Sequence, residues 1–430
     1  MLERFLALTA ARPDAAALID AASGRVTTRA ELLARAGEIG RRYAEGETIA
    51  VQLPNSVDFV ATFIAVLQRR LVAILIDRDA LPEDVARIVE QLAPSPEQET
   101  AGVPPDARLI KLTSGSTGAP KGIVASEANL LADTLNICAT MGIGPDDVNF
   151  GAIPMSHSYG FSNLVGPLLA QGTAVVISND YLPQSLLDSC NRYQCTVVPA
   201  IPMVFDHLTT AARGDFATVR TFLSAGAPLP PAVSRGFRER FGRPIHTFYG
   251  CSECGGITYD REGASVERGT VGRALEGVAL SADGARLVVR GANVALGYLH
   301  DARTFEPFEP GLFVADDLVE FRDDGEVALI GRASELINTA GRKVNPREVE
   351  QVLLQMDGVR QAKAYGEPAG ARGDVVAVAV VAEAGVTREQ LREFCRARLA
   401  PHKVPRIIKL IDSIPVDERG KVRRAALAAL

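Results

Sequence analysis

The chain has 430 residues, 47% hydrophobic and 23% charged, enough for a large core and two or three domains. Its net charge of −6 gives no sign of a nucleic-acid or anionic-membrane partner. No run of about 18 apolar residues occurs, so no membrane span is expected. Six cysteines in so long a chain do not make a disulfide scaffold.

In chain order, Thr27 to Leu33 reads as a capped helix start, and Thr48 to Leu53 as a buried strand. Pro54-Asn55-Ser56 turns into an amphipathic helix from Val57 to Gln68, and Leu71 to Ile76 is the next strand. This strand–helix–strand order predicts a parallel sheet. Pro94 to Pro105 is a short Pro/Glu-rich linker. Arg108 to Leu112 is a strand, Gly122 to Ala125 a second apolar run, and Ser126 caps a following helix. Strands are expected at Val148 to Ile153, Ala174 to Ile177 and Thr196 to Pro199, with Pro154 to Gly160 as a loop. Near the C-terminus, Pro346 starts a helix with helical spacing from Arg347 to Met356. Val375 to Val381 is a strong strand, and Thr387 with Gln390 signals another helix start. The class is α/β, with parallel-rich sheets flanked by helices and a smaller α+β part at the end.

Between the two strands that start at Arg108 and Gly122 lies Thr113-Ser114-Gly115-Ser116-Thr117-Gly118-Ala119-Pro120-Lys121. Glycines let backbone N–H groups approach an anion, hydroxyls donate to it, and a lysine adds a point charge. The stretch is not a Walker A loop, because Pro120 precedes the lysine and Gly122 follows it. A plain polar hairpin turn is the other reading. Cys251 and Cys254 form a C-x-x-C, but no second pair or histidine cluster accompanies them, which disfavours zinc or redox chemistry.

The Thr113–Gly122 stretch closely resembles the phosphate loop of the adenylate-forming superfamily, which includes acyl- and aryl-CoA ligases. Further motifs of that family follow in order. Leu223 to Leu229, with Ala225, Gly226 and Ala227, is similar to its nucleotide-contacting turn. Phe248-Tyr249-Gly250-Cys251-Ser252-Glu253 matches its Y-G-x-T/S-E signature. Arg290 to Tyr298 matches a signature that is largely architectural, and Asp317 retains the acid of another. Arg332 falls in the hinge region, and Gly420-Lys421 in the terminal lysine loop. The first region, up to the phosphate loop, is shorter than in most relatives.

The resemblance implies an N-terminal adenylate-forming domain over 1–332 and a mobile lid over 333–430 that carries the catalytic lysine, Lys421. It implies ATP and Mg²⁺, with Glu253 helping to hold the metal, Tyr249 on adenine and Ser252 facing the phosphates. Thr113, Ser252 and Glu253 join Lys421 as catalytic candidates. Asp317 would accept the ribose diol, and Arg332 would reach ribose or phosphate. His157, Phe161, Ala200, Gly250 and Gly256 would line the acid site. The implied reaction joins a carboxylic acid to a thiol: CoA, or the phosphopantetheine arm of a carrier protein. No acid stands beside Phe161-Ser162-Asn163 to bind an amine, so an aryl or fatty acyl acid is expected. Met1-Leu2-Glu3-Arg4-Phe5 lacks a signal-peptide pattern, so a cytoplasmic enzyme is expected, with a homodimer left open. Ala315, Asp316, Ser334 and Asn338 depart from the family pattern. They leave room for a reading of another class, a nucleotide-binding regulator without turnover.

Overall fold

The computed structural model describes residues 1–93, 102–113, 121–369 and 374–415. The chain forms two compact units. The first holds Met1–Ser281, Val288–Phe313 and Phe321–Val327; the second holds Ala282–Leu287, Val314–Glu320 and the chain from Ala328.

Two large sheets, of nine and six strands among the described residues, form most of the first unit. In one, strands Thr48–Val51, Val72–Leu75 and Ala107–Thr113 lie parallel. The crossover helix Val57–Gln68 starts at Ser56, whose side chain accepts from the Phe59 N–H. Its residues from Phe59 to Leu67 are all buried. The next crossover is a helix, Pro82–Leu92, which the sequence reading leaves unassigned. Proline at its first position and Val85, Ile88, Val89 and Leu92 at helical spacing explain it, and the adjoining linker obscures that pattern. Ala107–Thr113 then turns back as an antiparallel hairpin into Lys121–Ser126, with Thr113 opposite Lys121. Strand Gly297–Asp301 pairs antiparallel with this return strand, placing Tyr298 opposite Ile123.

In the larger, nine-stranded sheet, Ala174–Ile177, Val148–Gly151, Val197–Ala200, Thr221–Ser224 and Ile245–Cys251 run parallel. Gly255–Tyr259 returns antiparallel from the last of these. Helix Glu127–Met141 follows the hairpin directly, capped reciprocally by Ser126 and Asn129. The expected loop at 154–160 is a correction in part: it turns helical at Ser158–Gly160 and continues as a π-helical turn, Phe161–Val165. Buried hydrophobic residues such as Phe161, Leu164 and Val165 pull that segment into the core.

The second unit has a three-stranded sheet in which Asp374–Ala382 pairs antiparallel with Val359–Pro368 and parallel with Ile407–Leu410. Helix Pro346–Leu353 is shorter than its spacing predicts. Helix Arg388–Arg396 carries the expected Thr387–Gln390 capping box. Val376, Val378 and Val380 face Val349, Leu353 and Leu391 in its core. Among the described residues no helix is long and apolar enough to cross a membrane.

Phe222 is fully buried, with Phe216 and Phe237 rings each 4.9 Å away. Phe222→Ala is expected to destabilise the first unit by about 3–5 kcal/mol in urea unfolding, with the loss divided between transfer and cavity. Asp147 accepts from Arg220 at 2.7 Å, Thr196 at 2.7 Å and the Gly144 N–H at 2.8 Å. Burial raises its pKa, but these donors prevail and hold it below the usual 3.8. A lowered folded-state pKa gives stability that is present above the unfolded value and lost as pH falls through the folded one. Asp147→Asn should therefore lower Tm at pH 7 by calorimetry, with the gap from wild type closing as pH falls below 3.8 and through the lowered folded-state value.

Candidate active site

The hairpin that frames the predicted phosphate loop is set by register. Thr113 ends one strand, its Oγ1 donating weakly to the Lys121 carbonyl at 3.4 Å. Ser114, Gly115, Ser116, Thr117 and Gly118, and the predicted catalytic Lys421, lie outside the described residues. Lys121 places its ammonium 5.2 Å from the centre of the Tyr298 ring, within cation–π range. The Tyr298 hydroxyl donates to Glu253 Oε1 at 2.9 Å. Thr113, Lys121, Tyr298 and Glu253 thus form one connected chain from the foot of the loop to the predicted metal carboxylate.

Tyr298 belongs to the signature read as largely architectural; the structure gives its side chain a contact with the site. Burial, and the Glu253 charge beside it, push its phenol well above the ordinary value. It therefore stays protonated and donates. Phe308 packs edge-on against its ring at 4.9 Å and fixes the ring's direction.

Strand Ile245–Cys251 carries Phe248, Tyr249, Gly250 and Cys251 to the turn at Ser252–Glu253. The Glu253 carbonyl accepts from the Ala295 N–H at 2.8 Å. Ser158 and Ser252 hydroxyls lie 2.8 Å apart, tying the 154–165 segment to that turn. His157, at the start of the helical turn, sits 3.3 Å from Asp77. Tyr159 donates to the Leu223 carbonyl at 2.9 Å, and its ring lies 5.9 Å from Phe248. Ala200 is buried at the end of its strand, and its carbonyl accepts from the Ala225 N–H at 3.4 Å. Gly226 and Ala227 follow in an exposed turn.

Two predicted lining residues are placed by packing. Phe161 is 1% exposed and meets Phe63 edge-on at 4.7 Å inside the core. At Gly256 a Cβ would come 2.8 Å from the Phe248 ring and 2.9 Å from Leu275. The glycine makes room for Phe248, rather than for open space.

In the second unit, Arg332 Nε donates to Asp317 Oδ1 at 3.1 Å, so the two predicted nucleotide ligands bind each other. Asp316 lies within a continuous strand, Leu312–Phe321, rather than in a turn. Its carboxylate accepts from the Ser334 N–H at 3.0 Å and from the Ser334 hydroxyl. Two of the four departures from the family pattern, Asp316 and Ser334, are thus partners of one another.

Sequence reasoning missed Lys111 and Asp133, which are 4% and 3% exposed. The signals were present. Asp133 sits on the buried stripe of its helix with Leu130 and Ile137, and Lys111 shares a strand face with Leu109 and Thr113.

Comparison with known proteins bears on the family and the fold. The AMP-binding enzyme family model matches residues 90–299, and the model of the AMP-binding enzyme C-terminal domain matches residues 348–421. The chain is 29% identical to the sulfoacetate–CoA ligase of Cupriavidus necator, over 99% of this chain and 97% of that one. It is 26% identical to the oxalate–CoA ligase of Arabidopsis thaliana, over 89% and 88%. ATP-bound MatB from Rhodopseudomonas palustris superposes with a TM-score of 0.82 at 23% identity, covering 100% of this chain and 98% of that one. The o-succinylbenzoate CoA synthetase of Bacillus subtilis, in complex with its acyl-adenylate intermediate, gives 0.80 at 23% identity, covering 99% and 97%. At such identities the solved structures speak for the fold.

Tyr298→Phe deletes the donor to Glu253 and keeps the ring. It should leave Tm nearly unchanged and weaken Mg²⁺-dependent ATP binding about tenfold by calorimetry, the scale of one hydrogen bond to a charged group.

Proposed function

The chain belongs to the AMP-binding enzyme family, and we propose that it activates a carboxylic acid with ATP and passes the acyl group to the thiol of CoA. The observation that carries this reading is the connected chain from Thr113 through Lys121 and Tyr298 to Glu253. It joins the phosphate-loop hairpin to the carboxylate that we assign to the metal–nucleotide complex.

In the first step a carboxylate oxygen attacks the α-phosphorus of ATP, and the bond to pyrophosphate breaks. Both reactants are anions, so positioned cations and donors lower the barrier. Lys121 supplies a cation and Ser252 a hydroxyl. Among the described residues no cluster of three His, Cys, Asp or Glu side chains could hold a metal. A hard cation takes carboxylate oxygen together with phosphate oxygens and water, and the Glu253 carboxylate, oriented by the Tyr298 hydroxyl, is an oxygen donor of that kind. When bound, Mg²⁺ would neutralise phosphate charge. In the second step the thiol sulfur attacks the acyl carbon, AMP leaves, and the thiol proton is lost.

Tyr159 and Phe248 offer an aromatic wall, which supports an aryl or fatty acyl acid. We assign His157, Ala200 and Gly250 to the same site, and Tyr249, Ala225 and Gly226 to the nucleotide. Lys421 is assigned to adenylation, on a lid formed by the C-terminal part of the chain. A cytoplasmic enzyme is proposed, with a carrier-protein thiol as the other acceptor.

ATP–pyrophosphate exchange over a panel of aryl, fatty and amino acids tests the reading. Exchange with one acid class, reduced roughly 100-fold or more in Lys421→Ala, is the expected outcome. Adding CoA should then release AMP and form the thioester. Tight Mg-ATP binding without exchange for any acid would favour the regulator instead.

A further inference from the structure

Two charged side chains in the first unit have no part in the chemistry just described, yet they are among its most deeply buried polar groups. Lys111 lies two residues before Thr113 on the strand that enters the phosphate loop. Asp133 lies on the helix that leaves the hairpin. Both therefore stand on elements continuous with that loop.

Asp133 has specific partners. One carboxylate oxygen accepts from the Ser162 hydroxyl at 2.5 Å, in the π-helical turn. The other accepts from the Gly256 N–H at 2.8 Å, just past the Ser252–Glu253 turn. Gly255 adopts φ +67 and packs directly on this carboxylate, where a Cβ would come within 2.2–2.3 Å of its atoms. Lys111 is buried on a strand that packs against the Asp133 helix, and the negative charge of Asp133 offsets part of the cost of burying its ammonium. One carboxylate on the post-hairpin helix thus holds the acid-site segment and the residues just past the Glu253 turn, and the buried cation on the loop's own strand belongs to an element packed against that helix.

Burying an ammonium and a carboxylate costs several kcal/mol each, and an apolar pair of equal volume is often as stable or more so. Stability is therefore a poor reason for these two charges. Geometry is a better one, because a buried charge tolerates few arrangements of its neighbours. Burial raises the Asp133 pKa and lowers that of Lys111, and each pulls the other back toward its charged form.

We propose that Asp133 and Lys111 are positioning residues, a buried charged brace that sets the Ser252–Glu253 turn and the Gly255–Gly256 wall against the phosphate-loop strand. Neither touches substrate; both act through Glu253 and the glycine turn. The proposal rests on the acid-activation reading for its meaning, but its test does not depend on that reading alone.

The test compares Lys111→Met, Asp133→Asn, the double variant and Ser162→Ala in the full-length protein. Three readouts are followed: Tm, Mg²⁺-dependent ATP affinity by calorimetry, and the Mg²⁺ concentration giving half-maximal pyrophosphate exchange. Each single variant leaves one buried charge uncompensated, so its Tm falls. The double variant recovers much of that Tm. The brace predicts that the double variant, though folded, still needs roughly tenfold more Mg²⁺ and exchanges roughly tenfold more slowly, as expected when about 1.4 kcal/mol of positioning is lost. Ser162→Ala, which keeps both charges, should shift the Mg²⁺ requirement in the same direction but less. A double variant with wild-type Mg²⁺ requirement and ATP affinity would reduce the pair to a structural role and overturn the proposal. If the wild type exchanges with no acid, the acid-activation reading fails separately. The brace is then judged on ATP affinity, and wild-type affinity in the double variant overturns it.

Discussion

The site depends on one hydrogen bond between a strand and a turn that are far apart in sequence. Tyr298 and Glu253, 45 residues apart, meet because strand Gly297–Asp301 pairs with the return strand of the phosphate hairpin. The Glu253 turn also meets that region through its carbonyl, which takes the Ala295 N–H. A phenol kept protonated by burial is a suitable donor for a carboxylate that must remain an anion. Lys121, with its ammonium over the Tyr298 ring, links the bond to the hairpin. If the Tyr298 register slipped by one residue, its ring would move to the other side of the sheet and the chain of contacts would end.

Much of the remaining site geometry serves to hold this turn. Ser158 reaches Ser252 from the 154–165 segment, and Tyr159 is anchored on the Leu223 carbonyl. Gly256 yields its space to Phe248, so the aromatic wall is packed by the protein's own residues. The departures at Asp316 and Ser334 fit the same logic, since each supplies the other's hydrogen-bond partner.

The sequence was a good guide wherever the controlling interaction is local. Thr28 with Glu31, Ser126 with Asn129, and Thr387 with Gln390 cap their helices within four residues. The helix Val57–Gln68 and the strand Ala174–Ile177 stand where apolar runs predict them, but the helix is buried on every side from Phe59 to Leu67 rather than amphipathic. It misled where neighbouring residues pointed elsewhere. The helix Pro82–Leu92 hides beside a Pro/Glu-rich linker, and the 154–160 loop turns helical because its apolar continuation is swallowed by the core. Phe161 reads as a lining residue from its motif but packs on Phe63, a partner nothing in the motif can name.

The amino-acid sequence by itself determined the hydroxyl- and glycine-rich loop between two strands, the order of the motifs, the family and the caps, because each is written in residue type and short spacing. Tertiary structure alone decided that Tyr298 holds Glu253, that Ser158 meets Ser252 and that Asp133 takes the Gly256 N–H across 123 residues. Those contacts depend on which strands lie side by side and in which register. Strand order and register are set by the burial of whole sheets and helices, and no short window of sequence contains that information.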